Sequence, residues 1–229
     1  MRNFYGFYCN GRYKVGLSGT VWVYNMENRL IGRFQETPYS YCGAFIPNTD
    51  IFVCHTNECH LVVYDIANMR MLKKIKTSNC GGSEDTGVAF SNDGKHLYCI
   101  QANWDDWLKK RLVIYDTKNF EIEKEYFKDR LVLQEVEIES DGTCFISAGE
   151  RDADTGVIGK GFVGIFRDGE IVAKREYGED WLTVAMYYSW KRSGYTKKAF
   201  SSTLKERGFD PDNHQEPSSL KKLYETGHL

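Results

Sequence analysis

Apolar and aromatic residues along this chain gather into short runs separated by polar turn residues, and the runs repeat. One phrase reads Val21-Trp22-Val23-Tyr24-Asn25, then Leu61-Val62-Val63-Tyr64-Asp65, then Leu112-Val113-Ile114-Tyr115-Asp116, and in worn form Val163-Gly164-Ile165-Phe166-Arg167. A turn and a second short run follow each copy, at Arg29–Phe34, Met71–Ile75, Ile122–Phe127 and Ile171–Tyr177. Runs of this length, rich in β-branched and aromatic residues and bounded by turn signals, predict strands. Their recurrence predicts a repeat architecture.

A second phrase keeps the same beat. Gly43-Ala44-Phe45-Ile46-Pro47-Asn48-Thr49-Asp50 matches Gly87-Val88-Ala89-Phe90-Ser91-Asn92-Asp93-Gly94 and Glu135-Val136-Glu137-Ile138-Glu139-Ser140-Asp141-Gly142, with Thr183-Val184-Ala185-Met186 as a faint fourth. Phe45, Phe90, Ile138 and Met186 are 45, 48 and 48 positions apart. Asn-Asp-Gly and Ser-Asp-Gly supply the positive φ that a tight hairpin needs. Another apolar strand follows each, at Ile51–His55, His96–Gln101 and Thr143–Ala148.

Each unit is therefore four short strands, here called a (Gly43-type), b (Ile51-type), c (Leu61-type) and d (Met71-type). Four short antiparallel strands make one blade of a propeller, and blades bury their apolar faces against each other. The first unit reads as lacking strand a, with Asn3–Cys9 as b and Thr20–Asn25 as c. The missing strand is expected from Leu182–Ser189, closing the ring from the far end of the chain and removing an exposed edge. Two alternatives stand beside this: Leu182–Lys191 forms a helix, or the strand completes a partner's blade in a homodimer. The expected fold is all-β: four four-stranded antiparallel blades over 1–189, closed by a C-terminal inner strand, plus a helical extension at 190–229 packed on them.

Phe-Ser-Asn-Asp-Gly-Lys-His-Leu-Tyr at 90–98 and Leu-Val-Ile-Tyr-Asp-Thr-Lys-Asn at 112–119 resemble the repeat of WD40-like and YVTN-like β-propellers, over roughly residues 3–188. No Trp-Asp pair closes strand c and no Gly-His pair opens the repeat, so the hydrogen-bond network of strict WD40 repeats is not implied.

Composition sharpens this. The 14% aromatic content suits the wedge-shaped gaps between blades. The absence of an 18-residue apolar stretch predicts no membrane span, and the N-terminus carries no secretion-signal pattern. Of the seven cysteines, Cys9, Cys54, Cys99 and Cys144 are spaced 45 apart, which predicts one equivalent, reduced and buried position on strand b. A cytoplasmic location follows from that. Trp190–Arg207 holds six Lys or Arg against one acid; at +5, it leaves −7 for the rest of a chain whose net charge is −2. Tyr195–Arg207 predicts a helix, and Ser218 or Ser219 would cap a second one through Tyr224. An acidic body repels phosphate, so nucleic acid is not the expected partner.

Turn lengths separate two faces. The a–b and c–d turns are short. The b–c and d–a loops, Asn10–Gly19, Thr77–Thr86, Ala102–Arg111 and Gly149–Gly161, are longer and open on the other end, where function concentrates. Asn103-Trp104-Asp105-Asp106-Trp107 sets two tryptophans beside charge, the profile of an interaction hot spot. With Arg151 and Asp152 of the Glu150–Gly156 loop, Trp104, Asp105, Asp106 and Trp107 form the expected partner-binding set. Asp85, Glu135 and Asp180 precede or start strand a and are the candidate ligands for a hard divalent cation, Ca²⁺ or Mg²⁺. Cys54-His55 and Cys59-His60 hint at zinc, but Cys54 already belongs to the packing series. No nucleophile elbow, HExxH or phosphate-cradling glycine loop is present. The first reading is a non-catalytic scaffold that binds a protein partner without a cofactor. The alternative is a metal-assisted lyase or lactonase-like hydrolase, with Glu135 or Asp85 as general base.

Overall fold

The computed structural model describes residues 4, 6–35, 40–56, 58–77, 87–103, 105–106, 108–128, 130–152, 158–177 and 219–226. Its strands are β1 (Gly6–Cys9), β2 (Tyr13–Leu17), β3 (Val21–Asn25), β4 (Leu30–Phe34), β5 (Ser40–Phe45), β6 (Ile51–Thr56), β7 (His60–Asp65) and β8 (Arg70–Lys76). These continue with β9 (Val88–Phe90), β10 (His96–Ala102), β11 (Lys110–Asp116), β12 (Glu121–Tyr126), β13 (Leu131–Ile138), β14 (Cys144–Arg151), β15 (Ile158–Arg167) and β16 (Glu170–Glu176). One helix, α1 (Leu220–Thr226), follows. The strands form four antiparallel four-stranded sheets, each from consecutive strands, and the fold is propeller-like with four blades.

Register fixes which residues are equivalent. Tyr24, Tyr64, Tyr115 and Phe166 on the third strands face Lys14, Phe52, Leu97 and Cys144 on the second strands. Each sheet shifts register at that aromatic position, between Val23/Tyr24, Val63/Tyr64, Ile114/Tyr115 and Ile165/Phe166. Such bulges bend a strand and increase its twist, so all four outer strands leave the sheet alike. The a–b hairpins turn on Gly94 at φ 71° and Gly142 at φ 85°, where the Asp-Gly steps require it.

Two opposite faces of the second, third and fourth sheets feed two different interfaces. Phe52, Cys54, Val62 and Tyr64 of the second sheet pack on Val15, Leu17, Val21, Val23 and Phe34 of the first. Its other face, Val53, Leu61 and Val63, meets Leu97, Cys99, Val113 and Tyr115 of the third. Ile100, Leu112 and Ile114 of the third then meet Cys144, Ile146, Phe162 and Phe166 of the fourth. Each such side chain contributes about 1.5–3 kcal/mol on burial, and alternation along the strand explains why both faces are apolar. The far face of the fourth sheet, with Phe145, Val163 and Tyr177, is covered by Leu220 and Leu223 of α1.

The first sheet departs from the expected strand assignment. Residues 6–9 form its first strand, not its second, and residues 13–17, read from sequence as part of a loop, form the second. Lys14 and Gly16 interrupt the apolar signal there, which hides a five-residue strand behind the Asn10-Gly11 turn. The first sheet thus takes all four strands from 6–34. Cys9 sits opposite Lys14, in the register place that Phe45, Phe90 and Ile138 hold in the other sheets. The closing strand expected at 182–189 and the helix expected at 195–207 lie outside the described residues.

The cysteine series resolves differently as well. Cys54 and Cys99 are equivalent and buried, but Cys144 falls where Phe52 and Leu97 stand, two places away. Cys9 is exposed, against the expectation of burial. The 45-residue interval reflects equivalence only between Cys54 and Cys99; for Cys9 and Cys144 it is a coincidence of unequal loop lengths. Outward, β8 and β12 are almost entirely exposed; their Lys, Arg and Glu residues blunt an edge that would otherwise pair with other chains. The predicted cap is present: Lys222 N donates to Ser219 Oγ at 3.2 Å.

Candidate binding face at the long-loop end

Buried polar side chains gather where the second strands end and the third strands begin. Ser40 starts β5, His55 and Thr56 end β6, Thr77 follows β8, Gln101 lies next to last in β10, and Lys110 opens β11; all are buried, Lys110 completely. Gln134 and Ser147 add a mid-strand pair in the fourth sheet. Burying polar groups costs free energy that hydrogen bonds must offset. Gln101 Nε2 donates to Tyr115 Oη at 2.7 Å, and His55 Nε2 lies 3.4 Å from Thr77 Oγ1. Nearer the centre, Gly43 N donates to Tyr8 Oη at 3.0 Å, tying the first sheet to the second; burial pushes the Tyr8 phenol far above its usual range.

The loop after β10 is braced. Arg151 Nη2, at the end of β14, donates to Asp106 Oδ2 at 2.9 Å, with the two side chains 13% and 30% exposed. Leu108 N donates to Asp106 Oδ1 at 3.0 Å. Burial opposes the Asp106 charge, but the Arg151 hydrogen bond and the Leu108 amide outweigh it and hold the carboxyl below the usual carboxylate range. Further pairs stiffen the same end: Arg111 with Glu125 at 3.1 Å, and Lys174 with Glu150 at 2.6 Å and Glu176 at 2.9 Å.

Of the residues expected to contact a partner, Asp106 and Arg151 are therefore joined to each other across two sheets, and Asp105 and Asp152 beside them are exposed. Trp104 and Trp107 lie outside the described residues. So do Asp85 and Asp180 of the candidate metal set; Glu135 lies on β13, opposite Ser147. Among the described residues no three His, Cys, Asp or Glu side chains stand close enough to hold a metal ion. The Cys-His pairs do not assemble a zinc site either: Cys54 Sγ donates to Ser40 Oγ at 3.5 Å inside the core, and Cys59 is disulfide-bonded. With one cysteine oxidised, cysteine usage no longer argues for a reducing compartment.

Sequence reasoning missed Lys110, Gln101 and Gln134. The available signal was a polar residue inside or at the mouth of an otherwise apolar strand, which composition alone reads as a strand end. No helix among the described residues is long and apolar enough to cross a membrane.

No protein-family model matches the chain, and comparison with curated proteins finds no match. Among solved structures, the fold resembles that of a chain of Kuenenia stuttgartiensis hydrazine synthase, with a TM-score of 0.63 and 17% identity. The likeness is one of fold alone. It covers 77% of this chain and 49% of that one, so this chain spans about half the length of its structural relative.

Proposed function

We propose that this chain is a non-catalytic protein-binding propeller, of WD40-like or YVTN-like repeat type, that engages a protein partner through its long-loop end. The observation that carries this reading is the Asp106–Arg151 strut, which fastens the loop after β10 to the fourth sheet and holds exposed Asp105 and Asp152 beside it. A braced loop loses less conformational freedom on binding than a slack one, so more of its contact energy appears as affinity. The repeat-type assignment is supported by the equivalent aromatic on every third strand and by the Asp-Gly hairpins.

The test compares partner capture by the intact protein, a Trp104→Ala/Trp107→Ala variant and an Asp105→Lys/Asp152→Lys variant, using extracts of the native cell and quantitative mass spectrometry. Loss of the same captured protein in both variants, with melting temperatures within about 2 °C of the parent, supports the reading. Undiminished capture by both variants removes the long-loop end from the interface.

A further inference from the structure

The four outer strands are equivalent in register but differ in charge. Tyr24, Tyr64, Tyr115 and Phe166 pair outward with Leu30, Met71, Ile122 and Ile171. β8 reads Arg70-Met71-Leu72-Lys73-Lys74-Ile75-Lys76, four cations and no acid. β12 carries Glu121, Glu123 and Glu125, and each has a partner within the chain: Asn119 Nδ2 at 2.7 Å, His96 Nδ1 at 2.9 Å and Arg111 Nη1 at 3.1 Å. On β16, Lys174 and Glu176 hold each other at 2.9 Å.

The charges of β8 are not compensated in this way. Lys74 and Lys76 form no ion pair among the described residues. Lys73 Nζ ends on a neutral carbonyl, Asn119 O, at 2.6 Å. Arg70 stands opposite Asp65, whose carboxylate already accepts two hydrogen bonds from Asn68. Burial, and then the Lys74 charge, hold the neighbouring His60 imidazole below its ordinary range. Like charges kept together on one strand repel each other at a cost in stability, and an anionic ligand relieves that cost.

The strand is also accessible. Every residue of β8 except Ile75 is exposed, with Met71 at 37% and Leu72 at 43%. β7 pairs with one side of it, and no described strand pairs with the other, so alternate residues turn main-chain N–H and C=O groups outward. Register sets Met71, Lys74 and Lys76 on one face, opposite Tyr64, Val62 and His60. A second copy does not supply the complement. Two β8 edges would set cations against cations, and the acids of β12 are already matched within their own chain. Residues 190–207, with six Lys or Arg against one acid, carry the same sign as β8.

We infer that the exposed edge of β8 is a docking strand for an extended acidic segment of a protein partner. The segment adds a fifth strand to the second sheet through main-chain hydrogen bonds, and its acids, at alternate positions on one face, meet Lys74 and Lys76. The charge that keeps copies of this edge apart thus selects the strand that joins it. This edge is distinct from the long-loop end, so its failure leaves the earlier reading untouched.

The experiment uses the full chain and three labelled peptides of about ten residues, a length that spans one strand, read by fluorescence anisotropy. One alternates Glu with Val; one alternates Lys with Val; one repeats the Glu-Val sequence with N-methyl groups on alternate residues, which removes main-chain donors and keeps the charge. The expected result is saturable binding of the first peptide and at least tenfold weaker binding of the other two. Lys74→Glu/Lys76→Glu weakens the first peptide at least tenfold and strengthens the Lys peptide, with the melting temperature unchanged. Lys118→Glu/Lys124→Glu, at exposed cations of the third sheet, leaves binding as it was. The inference is overturned if the Glu-Val peptide fails to bind at millimolar concentration, or if the N-methylated peptide binds as well, which reduces the edge to a patch of charge. It is equally overturned if Lys74→Glu/Lys76→Glu has no effect, or if light scattering shows a dimer that this double variant dissolves.

Discussion

Arg151 and Asp106 hold each other at 2.9 Å across the boundary between the third and fourth sheets, at an end of the molecule where long loops would otherwise move independently. The pair is shielded enough to act in a reduced dielectric, yet Asp106 keeps solvent contact. In a double-mutant cycle of Asp106→Ala and Arg151→Ala, urea unfolding should return a coupling of about 1 kcal/mol.

The same pair carries a pH dependence with a definite sign. The Asp106 carboxyl is depressed in the folded protein, below an unfolded value of about 3.9. Its contribution is therefore complete above that value and is lost as pH falls through the folded pKa. The stability difference between the parent and Asp106→Asn should be constant from neutral pH down to about 5 and shrink below about 4. A difference that persists unchanged at acid pH would assign the effect to packing instead.

Thiol reactivity should divide cleanly. Burial pushes Cys54 and Cys144 up to about 12 and Cys99 well above its ordinary value, whereas Cys9 is exposed. Brief iodoacetamide treatment of the native protein at pH 8, followed by peptide mapping, should label Cys9 and spare the other three. Above about pH 9 stability should fall. Burial also raises the phenols of Tyr8 and Tyr115 and lifts Tyr177 to about 12. Each raised group favours folding fully below its unfolded pKa and ceases to do so as pH rises through the folded one.

Core truncations should separate from edge changes. Phe52 is fully buried between Tyr8 and Phe45, with ring centroids at 5.4 and 5.0 Å. Phe52→Ala should cost about 3–5 kcal/mol in chemical denaturation. Val172→Ser, on an exposed outer strand, should stay within about 0.5 kcal/mol.

The terminal helix provides a local test. Tyr177 Oη donates to Leu223 O at 2.6 Å in a buried setting, and Glu137 Oε2 accepts from Leu220 N at 2.6 Å. Leu223→Asp should undock α1, raising amide exchange across 219–226 while the first three sheets keep their protection. Tyr177→Phe should cost about 1 kcal/mol.

The four aromatic-terminated strands and the Asp-Gly hairpins were legible because local chemistry dictates them: β-branched runs prefer extended backbone, and only a few residues tolerate positive φ. That was enough to read three sheets and the short capped helix from residue order alone. The first sheet was not legible. Tyr13–Leu17 carries Lys14 and Gly16 where its counterparts carry Phe52 and Cys54, so the apolar alternation that marks a strand is broken on one of its faces. Arg151 and Asp106, 45 residues apart, were each readable as exposed charges but not as a pair. Strand identity is written in local propensity and turn chemistry. Which faces meet and which charges find each other depend on distances between segments far apart in the chain, and only the packed sheets decide those.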